Sequence, residues 1–201
     1  MRRLAVTSAF ALTALINLTS LAACSSSGSA PPPATRSAAG TGPSNPAAST
    51  PATACDQGAW QSAPISGTER TMAAGVPVLT AVRAAQHPEC AYDRLVLDIT
   101  GPLPGYAIRY VSQVRAEPSG RLISLPGSRF LLITLHPAQM HTSAGAPTMT
   151  GAVRALGYPM LAGWAPAGDF EGYVTVAVGL NAQTQVRVGE LAGRLYINFK
   201  E

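Results

Sequence analysis

Residues 173–180 read Tyr-Val-Thr-Val-Ala-Val-Gly-Leu, so an aliphatic side chain stands at every second position. Because successive side chains of a strand point to opposite faces, this alternation predicts a β-strand with one buried face. The same period of two recurs at 94–99 and at 195–200. Residues 130–135, Phe-Leu-Leu-Ile-Thr-Leu, are apolar on both faces and predict a central strand packed on two sides.

Turn signals and weaker strand patterns fill the rest of the region from residue 55 to residue 201. Glycine and proline punctuate it, as at Gly101-Pro102. Helix is expected only as a turn or two near 71–75 or 137–141. Three further strands are predicted, at 78–84, 107–111 and 185–189. About seven short strands in one region predict an all-β domain, a β-sandwich in preference to a small barrel.

The N-terminal 24 residues have the three parts of an export signal. Met1-Arg2-Arg3 is positive, residues 4–18 are uncharged and mostly apolar, and Leu21-Ala22-Ala23-Cys24 resembles the lipobox of bacterial lipoproteins. The resemblance implies that residues 1–23 are removed and that Cys24 carries lipid on the outer face of the cytoplasmic membrane. An uncleaved anchor helix or a plain secretory signal is the alternative.

Residues 25–54 separate that signal from the strand-rich region. Of these 30 residues, 28 are Ala, Ser, Pro, Thr or Gly, so the segment cannot bury enough apolar surface to order itself. Together with Cys24 it is predicted to be a disordered tether, 24–54, ahead of a domain at 55–201.

Three cysteines and the charge balance restrict the partners. With Cys24 assigned to lipid, Cys55 and Cys90 remain as a pair in an oxidising compartment, which favours a disulfide over a metal or nucleophilic role for Cys90. From Cys55 onward ten Arg and one Lys oppose ten Asp and Glu, a net charge of +1. This balance argues against a nucleic-acid partner.

Five ordered motifs carry a resemblance to a known family. They are Tyr92-Asp93-Arg94-Leu95-Val96-Leu97, the run 101–111, Pro147-Thr148-Met149-Thr150-Gly151, Gly168-Asp169-Phe170-Glu171-Gly172, and Val178-Gly179-Leu180. Over residues 78–199 the chain resembles the AMIN-like domain of actinobacterial lipoproteins and secreted proteins. That family is similar to the AMIN domain of cell-wall amidases, a β-sandwich implicated in targeting to peptidoglycan or to envelope complexes. The resemblance implies a binding module, with neither catalytic activity nor a cofactor.

Two carboxylates are candidates for chemistry or for binding. Asp169 and Glu171 are two residues apart, and on an extended segment both would lie on one face about 7 Å apart, as in acid and base pairs. The favoured alternative is a glycine-bracketed turn whose carboxylates accept hydrogen bonds from backbone or Arg donors. His136 and His141 have no third ligand at metal spacing, so they are interpreted as surface loop histidines and no metal site is predicted.

Guanidinium and indole groups are the other binding candidates. A guanidinium fork that binds carboxylates could be formed by Arg94, Arg109 or Arg187. The favoured expectation for Asp93 and Arg94 is that each pairs with a residue on a neighbouring strand. Trp164 is predicted to lie in a loop, where it would either stack on a sugar or close the end of the sandwich. A protein partner could instead add a strand to an exposed edge, at 78–84 or at the C-terminal strand.

Overall fold

The computed structural model describes residue 55, residues 58–67 and residues 75–201. The predictions for residues 1–54, namely the signal, lipid on Cys24 and the tether, lie outside these residues, as does most of the helix candidate at 71–75. In chain order the strands are β1 (Ile65–Ser66), β2 (Val78–His87), β3 (Tyr92–Thr100), β4 (Gly105–Val111), β5 (Arg129–His136), β6 (Arg154–Ala155), β7 (Leu161–Phe170), β8 (Tyr173–Leu180), β9 (Val186–Leu191) and β10 (Arg194–Lys200).

These strands form two antiparallel sheets that pack as a sandwich, so the predicted all-β sandwich is confirmed. One sheet has six strands in the order β1-β4-β5-β8-β7-β6, and the other has four in the order β2-β3-β10-β9. The strands β2 and β9 are therefore the edges of the smaller sheet, and β1 and β6 are the edges of the larger one.

The alternating side chains predicted from the sequence do form the core between the sheets. Leu95 and Leu97 of β3 and Ile197 and Phe199 of β10 are completely buried. The central strand β5 is buried on both faces as predicted, because Leu132 on its outer face lies beneath a second apolar cluster. The loop between β4 and β5 contributes Val114 and Leu125 to that cluster, and small residues of β7 and β8 complete it.

Four details differ from the sequence predictions. The described residues form ten strands rather than about seven, because β1, β6 and β7 were not anticipated. Strand β8 is buried on both faces, because Ala177 on its outer face belongs to the second cluster and Thr175 on the same face is also buried. Residues 137–141 form an irregular strap that bridges to β2 at Gln139 instead of a helix. A short 3-10 turn occurs at Pro88–Cys90.

The predicted disulfide between Cys55 and Cys90 is present, with the two Cα atoms 5.6 Å apart. It joins the segment ahead of β1 to the turn between β2 and β3. That segment then runs beside β9, where Gln61 and Val186 exchange backbone hydrogen bonds of 2.8 Å. Within the described ranges, no helix is both long enough and apolar enough to cross a bilayer.

Candidate functional site

Two aromatic side chains stand exposed where β7 turns into β8. The turn is made of Glu171 and Gly172, with φ angles of 50° and 80°, as the tightest hairpin turns require. It sets Phe170 directly opposite Tyr173 in the strand register, so the two side chains share one face of the sheet. Phe170 is 46% exposed and Tyr173 is 45% exposed.

A third ring extends this pair across the sheet. His136, the last residue of β5, stacks on Tyr173 with ring centroids 4.1 Å apart and an interplanar angle of 18°. Because the neighbouring residues Leu135 and Val174 point into the core, His136 and Tyr173 lie on the outer face. We call Phe170, Tyr173 and His136 the aromatic row.

Polar groups border the aromatic row on one side. His141 Nδ1 lies 2.7 Å from Asp169 Oδ2, and this contact ties the irregular strap to β7. A hollow of about 350 Å³ is lined by His136, His141, Asp169, Phe170 and Glu171, among others. A smaller hollow of about 150 Å³ lies on the other side of the row, where Gly105, Tyr106 and Gly67 contribute.

Such an arrangement suits a ligand with flat apolar faces and hydroxyl groups at its edges. Exposed rings offer apolar area at low cost in side-chain entropy, and carboxylate and imidazole groups hydrogen-bond hydroxyls. Pockets that bind small groups combine apolar walls with a few convergent polar atoms in this way. A sugar ring has this chemistry.

The predicted carboxylate pair takes a different geometry. Glu171 has a positive φ and lies in the hairpin turn, so Asp169 and Glu171 do not sit on one extended segment, and that expectation is wrong. Asp169 contacts the side chain of His141, where the alternative interpretation expected a backbone or Arg donor. His136 belongs to a strand rather than a loop. In the described part of the chain no three potential metal ligands cluster.

Trp164 lies in β7, not in the predicted loop, and is only 8% exposed. Its indole belongs to the main core cluster, and β7 itself lies between β8 and β6 in the larger sheet. The sequence did not predict this strand, because the small residues on the opposite face of β7 leave no alternation of apolar and polar side chains. A binding role for Trp164 stays a prediction, restricted to the groove that it borders between the two sheets.

Two of the candidate arginines are held between aromatic rings on the outer face of the smaller sheet. The Arg94 guanidinium lies 4.4 Å from the centroid of the Tyr196 ring, and its Nε donates to Asn198 Oδ1 at 2.7 Å. Arg187 lies 4.3 Å from the centroid of the Trp60 ring. Arg94 therefore pairs with strand β10 as expected, while Arg109 is exposed on the larger sheet. A carboxylate fork at these residues stays a prediction.

Asp93 does not pair within its own sheet, which corrects the expectation for this residue. Its Oδ2 accepts hydrogen bonds from the backbone N–H groups of Met160 at 2.8 Å and Leu161 at 2.7 Å. Leu161 begins β7 in the other sheet. The completely buried carboxylate thus joins the two sheets across the core.

Asp98 bonds two arginines at the exposed end of the smaller sheet. Arg83 donates to both carboxylate oxygens, through Nη2 at 2.7 Å and through Nε, and Arg194 Nε donates at 3.2 Å. The hydrogen bond from Arg83 is the main cause that lowers the pKa of Asp98 below its ordinary 3.8, and partial burial opposes it.

A pH dependence follows from this lowered pKa. Asp98 contributes stability above the unfolded-state pKa and loses it as the pH falls through the lower folded-state value. We expect Asp98→Asn to be slightly less stable than the parent at pH 7, and the difference to vanish well below pH 3.8. Urea unfolding of both proteins across this range measures the difference, and a gap that persists in acid would contradict the assignment.

Most of the described part of the chain matches the model of a known family. The model of the AMIN-like domain matches residues 77–201, more than half of the chain. The chain belongs to the AMIN-like domain family. The match covers β2 to β10 and with them the whole aromatic row. AMIN-like domains are associated with the cell envelope and with peptidoglycan, and the match is consistent with a module that binds without catalysis. Neither a curated protein nor a solved structure gives a significant match.

Proposed function

We propose that this AMIN-like protein is a lipid-anchored, non-catalytic module of the cell envelope that binds peptidoglycan through the aromatic row. The observation that carries the proposal is the pair of exposed rings, Phe170 and Tyr173, fixed side by side on a tight hairpin. Large exposed aromatic side chains next to each other are unusual on a soluble domain unless they serve an interaction.

The rigidity of the row supports glycan binding. Both rings project from paired strands, and His136 stacks against Tyr173, so few rotamers would be lost when a ligand binds. Asp169 and Glu171 line the hollow beside the row and offer acceptors for sugar hydroxyls. Glycan strands present both features, the flat ring faces and the hydroxyls.

The lipid anchor is supported by the N-terminal sequence. The segment Leu21-Ala22-Ala23-Cys24 supplies a lipobox-like motif, and thioether diacylation would add at least two acyl chains. Two chains hold a protein on a bilayer stably where one would be marginal. A tether of 30 residues would then let the domain reach wall polymer above the membrane.

Co-sedimentation with protein-free cell-wall sacculi tests the glycan proposal. The full chain, purified in detergent, is compared with the Phe170→Ala/Tyr173→Ala variant across a salt series. We expect the parent to bind at moderate salt and the variant to bind at least about tenfold more weakly, since each ring contributes roughly 1 kcal/mol.

Leu191→Ala provides the matched control. Leu191 is a slightly more exposed apolar residue, but it ends β9 in the other sheet. The control should bind sacculi like the parent. Equal binding by the ring variant and the parent would exclude the aromatic row as the glycan site. If binding by the parent disappears near physiological salt, the binding is due to surface charge that salt screens and not to recognition of the glycan.

A further inference from the structure

A groove of about 540 Å³ runs along the side of the sandwich, away from the aromatic row. It lies between β2 and β6, each of which is the unpaired edge of its sheet. Residues of β2 form one wall, and Ala155 of β6 with Met149 of the preceding loop forms the other. Two strand edges thus face one open channel.

The hydrogen bonds of β3 determine which backbone groups of β2 point into this channel. The Ile99 N–H donates to Gly193 O at the start of β10, so Ile99 turns its backbone groups away from β2. In an antiparallel ladder this orientation repeats at every second residue, so Leu97 and Leu95 of β3 also turn their backbone groups away from β2. The residues of β2 opposite Ile99, Leu97 and Leu95 therefore turn their own N–H and C=O groups outward; these are Leu79, Val82 and Ala84.

The first of these three outward residues is already paired. The Leu79 N–H donates to Gln139 O at 2.8 Å, and Leu79 O accepts from Thr148 Oγ1 at 2.6 Å. Val82 and Ala84, the next two, line the groove, and among the described residues nothing hydrogen-bonds their outward groups. The strap at Gln139 thus begins a ladder along β2 that stops where the groove opens.

The floor of the groove is apolar and continuous with the core. Trp164 forms part of it, and the partly buried side chains of Met149 and Leu156 pack against the same core cluster. A strand laid between β2 and β6 would place every second side chain on this floor. An unpaired edge beside an apolar floor is the geometry by which sheets accept an extended peptide.

The positive charge of the groove favours an occupant that carries a carboxylate. Arg154 is the one charged residue among its lining, it is exposed, and its guanidinium has no hydrogen-bond or ion-pair partner within the described ranges. A carboxylate on the incoming strand would pair with it. The chain's own tether, residues 25–54, contains no Asp or Glu and no aliphatic side chain larger than alanine, so it fits neither the charge nor the floor.

We infer that this groove accepts a strand from a separate polypeptide, extended, apolar at alternate positions and carrying a carboxylate opposite Arg154. The strand adds to β2 by backbone hydrogen bonds at Val82 and Ala84. The inference does not depend on glycan binding, because the groove shares no lining residue with the hollows beside the aromatic row.

Fluorescence anisotropy of a labelled hexapeptide tests the inference with the full chain in detergent. The probe alternates threonine and valine around a central glutamate. We expect saturable binding, at least about tenfold weaker for the same peptide with lysine in place of glutamate, because like charges then meet at Arg154. Arg154→Glu should reverse this preference. A probe with every backbone nitrogen methylated should not bind, because it has no N–H donors left.

Two tryptophan substitutions provide matched variants. Ala84→Trp fills the groove, because Ala84 lines it and packs against the core cluster, and should abolish peptide binding. Ala85→Trp places the same ring on the outer face of β2 and should leave it unchanged, because Ala85 and Ala84 point to opposite faces. Both variants should sediment with sacculi like the parent, which separates this test from that of the aromatic row.

Three results would overturn the inference. They are absence of peptide binding by the parent, equal binding of the methylated peptide, and self-association of the chain that Ala84→Trp alone abolishes. The last would make a second copy of this chain the occupant. If Ala84→Trp fails to fold, the charge reversal at exposed Arg154 still decides the question.

Discussion

Asp93→Ala is expected to lower the free energy of unfolding by about 2 to 6 kcal/mol, because two buried donors would lose their acceptor at roughly 1 to 3 kcal/mol each. Those donors are the backbone N–H groups of Met160 and Leu161, which both bond to Asp93 Oδ2. The site is completely buried, so bulk water cannot replace the carboxylate. Urea unfolding with a common slope for both proteins measures the loss.

The neighbouring aspartate on the same strand is the matched control. Asp98 has arginine partners near the surface, where solvent screens ion pairs. Asp98→Ala should therefore cost less than about 1 kcal/mol. If the two alanine variants lost equal stability, the bond from Asp93 to β7 would not be what joins the sheets, and hydrophobic packing alone would have to hold them.

The period of two predicted the strands whose two faces differ in polarity, and β5 was predicted instead from its unbroken run of large apolar residues. Residues 94–99 and 195–200 alternate because the outer face of the smaller sheet carries polar side chains, such as Arg94 and Asn198, while its inner face is apolar. β7 was missed because both of its faces are buried and its outer face carries small residues, such as Ala165 and Ala167, under the second cluster. With no contrast between faces, the period of two disappears.

The aromatic row could not be predicted for a different reason, since its parts meet only through strand pairing. Tyr173 and His136 are far apart in the chain and become neighbours because β5 pairs with β8. Asp169 and His141, 28 positions apart, meet only when the strap folds back on β7. The one local signal was Glu171-Gly172 between two extended runs, which indicates a two-residue hairpin that sets Phe170 beside Tyr173.

The disulfide has the second large expected effect on stability. Serine at both Cys55 and Cys90 should lower the free energy of unfolding by about 3 to 4 kcal/mol, since the bond closes a loop across a sequence separation of 35 in the unfolded chain. Urea unfolding of the double variant against the oxidised parent measures the loss. Reduction of the parent with dithiothreitol should reproduce it, because both treatments remove the same cross-link.

Loss of the disulfide should also loosen the segment that it holds against β9 before the whole domain unfolds. That segment is otherwise attached by the paired bonds between Gln61 and Val186, by the bond from Arg187 to Gly58 O, and by Trp60 packed against Arg187. Trp60 should become more exposed in the serine variant, which shifts tryptophan emission to longer wavelength at zero urea. Trp164 stays in the core until global unfolding. If the emission were unshifted and stability unchanged, the backbone bonds at Gln61 would suffice to hold the segment, and the disulfide would add nothing to the folded domain.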